Sequence, residues 1–130
     1  MKPVDVDRRT GRLTIEQYLG LTGGMSLRVA GRMLTLAGEY ANDVIALHED
    51  ARDPRISERQ LMSLARSATR AETQLARLLV LAAQHCREPQ ISDVPHAIRS
   101  NIKTVSGCRS AICQLAMTAQ QHSDGEQLAA

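Results

Sequence analysis

The stretch 57-SERQLMSLARSATRAETQLARLLVLAAQHC-86 decides how this chain folds. Wound at about 100° per residue, Leu61, Leu64, Ala68, Ala71, Leu75, Leu78, Ala82 and His85 recur at alternating steps of three and four. That is the spacing of a helix seam pressed against partners. The opposite side carries Arg59, Arg66, Arg70 and Arg77 at steps of seven, four and seven. Four guanidinium groups therefore fall within about 40° of one another along about 27 Å of helix axis. No Asp or Glu lies in that strip; Ser63, Thr73, Gln74 and Ala76 fill its gaps, and Glu58 and Glu72 stand off to one side. Ser57 with Gln60 three residues on reads as a capping box, and Pro54 closes off what precedes it.

Working outward toward the amino terminus, a first long helix is expected from about Ser26 to His48. Its apolar side holds Leu27, Ala30, Met33, Leu34, Ala37, Tyr40, Ala41, Val44, Ile45 and Leu47. An arc that broad is packed by two neighbours. The outer strip runs Arg28, Arg32, Thr35, Glu39, Asp43 and Asp50, basic first and acidic last, which opposes the helix dipole. An antiparallel second helix is expected to compensate by bringing Arg59 and Arg66 near Asp43 and Asp50, with residues 49–56 as the connecting loop.

Toward the carboxyl terminus, residues 87–91 form a short break. Ser92 or Asp93 then caps a third helix that tolerates Pro95 in its first turn. Val94, Ile98, Ile102, Val105, Ile112, Leu115, Ala116 and Ala119 make its buried side and carry it to about His122. Asn101 and Arg109 fall in or beside that sector, and Arg109 must snorkel or meet an acid. The remaining face, Ser106, Gly107, Ser110, Gln114, Thr118 and Gln121, has little charge and suits water or a second subunit.

The ends are smaller features. Val4 to Ile15 alternates apolar and polar residues around Gly11, the pattern of a hairpin; a short helix from Thr14 to Leu19 is the rival reading. The loop Gly20-Leu21-Thr22-Gly23-Gly24 reads as a flexible joint, since no Lys-Ser/Thr pair follows to hold phosphate. Ser123-Asp124-Gly125 is expected to stop the third helix. The terminal Leu128-Ala129-Ala130 resembles the apolar tags by which bacterial unfoldase-proteases select substrates. The division is residues 1–24 ribbon and glycine loop, 25–122 helical bundle and 123–130 disordered tail. The fold expected is all-α, an antiparallel bundle of three long helices with a small N-terminal β-hairpin or short helix.

Composition narrows the function. The chain has 130 residues, 43% apolar, but only 2% aromatic, with two Tyr and neither Phe nor Trp. Such a length makes one domain, and a core so poor in aromatics suits closely packed helices and self-association as a homodimer. Three cysteines, an odd number, read as reduced thiols of a cytoplasmic protein. The amino terminus does not read as a basic-then-apolar signal segment, and no apolar run reaches the roughly 18 residues of a membrane span. The four histidines and three cysteines lack the close pairs of zinc sites and the Glu-x-x-His motifs of di-iron bundles, so no metal or other cofactor is expected. No nucleophile motif or pair of carboxylates in apolar surroundings suggests an enzyme.

The arginine strip is what remains. Arg59, Arg66, Arg70 and Arg77 are the candidate partner-binding residues, and an acidic protein partner met by guanidinium forks is the leading expectation. A weak, sequence-tolerant nucleic-acid contact is the alternative, since four arginines could neutralise several phosphates. A net charge of +2 and the lack of stacking aromatics count against it. The sequence thus points to a non-enzymatic interaction or regulatory module, an accessory factor of bacterial or phage type.

Overall fold

Ser57 and Gln60 satisfy each other's backbone at the start of the central helix. The Ser57 Oγ accepts from the Gln60 N–H at 3.1 Å, and the Gln60 Oε1 accepts from the Ser57 N–H at 2.9 Å. This capping box removes two of the donors that every helix start leaves orphaned. Just upstream, the Asp53 Oδ1 accepts the Arg55 backbone N–H at 2.9 Å, an Asx turn that folds the loop tightly before the helix begins. In this computed structural model the backbone of residues 27–129 is described, with the side chains of residues 27–122.

Three helices account for nearly all of the described residues: α1 (Leu27–Ala51), α2 (Glu58–His85) and α3 (Val94–Ala129). They pack pairwise as an antiparallel bundle, α1 up, α2 down, α3 up. The α2–α3 turn is pinned by Ile91, which is buried, and by the bonds Ile91 N–H to Glu88 C=O and Ser92 Oγ to Pro89 C=O. The first helical bond of α3 runs from the Ala97 N–H to the Asp93 carbonyl. Pro95 sits in the first turn, where its missing donor leaves nothing unmade.

The core runs the length of the bundle. Met33 and Val44 from α1, Leu75 from α2, and Ile98, Val105 and Ile112 from α3 are fully buried. Between them lie Ala30, Ala37, Ala41, Ala68, Ala82 and Ala116, small enough to bring the helix backbones together. No polar or charged side chain is buried among the described residues. Leu64, Ala71, Tyr40, Leu47, Ile102 and Ala119 pack against this core from its edges, as their spacing requires.

Five apolar-seam assignments fall outside it. Leu27, Leu34 and Ile45 on α1, Leu115 on α3 and His85 on α2 are exposed. Two neighbours cover a helix from its inner side only, and the three α1 residues stand about 100–120° round from Met33, past the reach of either. Helix limits also shift. α1 continues past His48 to Ala51, because one more turn buries the Ala51 methyl in the core. α3 runs through Ser123-Asp124-Gly125 to Ala129, where the sequence pattern stops it near His122. Extending a helix already many turns long adds a hydrogen bond per residue, and one glycine costs only about 1 kcal/mol against that. The N-terminal hairpin or short helix and the glycine loop lie outside the described residues.

Truncating Leu75 to Ala should lower unfolding stability by about 2–5 kcal/mol in urea titration, the cost of a buried cavity. Ser57→Ala should cost about 1 kcal/mol through the lost cap. A loss from Leu75→Ala no larger than that from Ser57→Ala would contradict the packing described.

Candidate interaction surface

The arginine row sits on one unbroken helix. Arg59, Arg66, Arg70 and Arg77 are all exposed, on the side of α2 opposite Ala68 and Leu75. Their rise of about 1.5 Å per residue spreads them along most of the helix length. Thr69 and Thr73, beside the row, turn their hydroxyls back onto the carbonyls of Ala65 and Thr69 at 2.9 and 3.0 Å. Their methyl groups are thereby left outward. Met62 and Val80 are exposed on that flank, so the surface combines guanidinium groups with a thin apolar border.

Glu72, the acid in the middle of the same helix, is engaged elsewhere. Glu72 lies about 140° round the helix from Arg59 and reaches across to α3. There its Oε2 accepts from the Arg109 Nε at 2.7 Å, in a half-buried pair. The hydrogen bond from Arg109 and then the charge of Glu72 hold the Arg109 guanidinium above its ordinary pKa. Arg109 thus meets an acid, one of the two outcomes its position allows, and the pair ties α2 to α3. The expected approach of Arg59 and Arg66 to Asp43 and Asp50 does not follow from this geometry. The two arginines point directly away from the core side of α2, whereas Asp50 opens into a different feature. That feature is a cleft of about 720 Å³ at the α1–α2 turn, lined by Glu49, Asp50, Asp53, Arg55, Ile56, Gln60, Ser63 and Leu64.

A second surface lies on α1, where the sequence pattern predicts core. Leu27, Leu34 and Ile45 look like core residues by spacing alone, and only the positions of α2 and α3 leave them facing outward. Among the described residues no three His, Cys, Asp or Glu side chains gather as metal ligands. No helix among the described residues is long and apolar enough to cross a membrane. The chain matches no protein-family profile, no curated protein and no solved structure.

The three cysteines are unpaired, Cys86 buried at the α2 terminus and Cys108 and Cys113 half-buried on α3. Burial pushes the Cys86 thiol up from its ordinary pKa, which lowers its thiolate fraction near neutrality. Alkylation with iodoacetamide at pH 7.5, followed by peptide mass spectrometry, should therefore modify Cys108 and Cys113 before Cys86. Faster reaction at Cys86 would show that end of α2 to be open.

Proposed function

We propose that the chain is a non-enzymatic interaction or regulatory module that presents Arg59, Arg66, Arg70 and Arg77 to an acidic protein partner. One observation carries the reading: four exposed guanidinium groups share one face of a continuous helix, while Glu72 is bound to Arg109 on another helix. Guanidinium forks match carboxylates two bonds at a time, and a rigid helix holds them at fixed intervals. The border of Met62, Val80 and the two threonine methyls would give such a partner apolar area to cover. In this reading the protein is a cytoplasmic accessory factor of bacterial or phage type, self-associating, and working without metal or other cofactor. Duplex or single-stranded nucleic acid is the weaker occupant, because the chain has almost no aromatics and a net charge of only +2.

The double variant Arg66→Glu/Arg70→Glu separates these readings. Against a displayed library of acidic peptides, the native chain should enrich sequences with clustered Asp and Glu. The variant should bind the enriched peptides at least about 30-fold more weakly, since each lost charge-assisted contact is worth roughly 1.5–3 kcal/mol. Its circular dichroism should be unchanged, because both side chains are exposed. Equal peptide binding by variant and native chain would remove the proposal. Tighter binding of a 20-base-pair duplex, falling steeply with added salt, would move the function to nucleic acid.

A further inference from the structure

α1 carries an outward row that the core does not use. Leu27, Leu34 and Ile45 are 65%, 39% and 38% exposed. With Gly31, Gly38 and Glu49 they fall within about 60° of one another round the helix. A Cβ built on Gly31 or Gly38 meets nothing within 4 Å, so the helix surface is hollow at those two steps. Charge along the same helix is polarised. Arg28 and Arg32 stand at its start and Glu49 and Asp50 at its end, the reverse of what the helix dipole favours. Arg59 and Arg66 of α2 are exposed on the side of that helix away from the core.

We propose that α1 pairs, antiparallel, with the α1 of a second copy of this chain. The register is set by the positions themselves. Leu27 with Ile45 and Leu34 with Gly38 are both pairs centred on position 36, so one twofold axis serves both. Each Leu34 enters the hollow over the other copy's Gly38, and each Leu27 meets the other copy's Ile45. In this register Arg28 faces position 44 of the other copy, about 7.5 Å along the axis from its Glu49 at 1.5 Å per residue, so the basic start of each helix lies toward the acidic half of the other. A parallel pairing would set Arg28 against Arg28 and leave the hollows unfilled. The contact is self-complementary and closes at two copies. It leaves the arginine row on α2 and the outer face of α3 outside the interface.

Sedimentation equilibrium of the full chain tests the pairing, and the native protein should approach twice its 14.2 kDa mass at high micromolar concentration. Leu34→Glu and Gly38→Gln should each weaken association roughly 100-fold, because every substitution enters a twofold interface twice. Both positions are open in the single chain, so the dichroism spectra of the variants should match the native one. Gly38→Gln also removes a helix-interior glycine. At low concentration its melting temperature should stay level or rise even as the dimer is lost. Gln114→Arg on α3 should leave association intact. A native chain that stays at 14.2 kDa, a dimer indifferent to Leu34→Glu and Gly38→Gln, or one dissolved by Gln114→Arg would each overturn the proposal.

Discussion

A core almost without aromatic rings has to be made by closeness. Phe and Trp fill wide gaps between elements; this chain has neither, and Tyr40 packs at the edge of the core. The alternative is to line the contacts with alanine, so that helix backbones approach and a few larger side chains fill what remains. Ala37, Ala68 and Ala82 are fully buried beside Met33, Leu75 and Ile98. Everything else in the structure follows from that close approach: long helices rather than short ones, tight turns between them, and no wholly buried polar residue among the described residues.

Closeness also decides the electrostatics. With little room inside for a charge, charged side chains reach the surface or a partner at its edge, although Arg32 of α1 keeps its Nε and one Nη buried without a hydrogen-bond partner. Arg109 falls near the seam of α3 and Glu72 near that of α2, and they solve each other's problem across the helix junction. A pair so placed does more than neutralise two groups. It fixes the relative height of α2 and α3, and it withdraws from α2 an acid that would otherwise lie free on the same helix as four arginines. The positive row is a consequence of packing as much as of composition.

Narrow helices packed on two sides leave a third side bare. On α2 that side is cationic, on α3 it is polar with Arg99 and Lys103 toward its start, and on α1 it is apolar and hollowed by glycines. The three faces are chemically distinct. A bundle of this kind can therefore address a protein partner with one helix and a second copy of itself with another, without either contact disturbing the core.

The all-α class, the three long helices, the break at residues 87–91 and the capping box at Ser57 are determined by sequence alone. Each depends on local spacing and on contacts between residues at most four apart, which a periodic pattern records directly. The outward setting of Arg59, Arg66, Arg70 and Arg77 follows for the same reason, being the far side of a seam already legible. Tertiary structure alone decided that Leu27, Leu34 and Ile45 are surface, that Glu72 meets Arg109, and that α1 and α3 extend to Ala51 and Ala129. How far an apolar arc is covered depends on where the neighbouring helices stand. An ion pair 37 residues apart in sequence depends on their relative height. Neither quantity is written in the period of any one helix, because both belong to the distance between them.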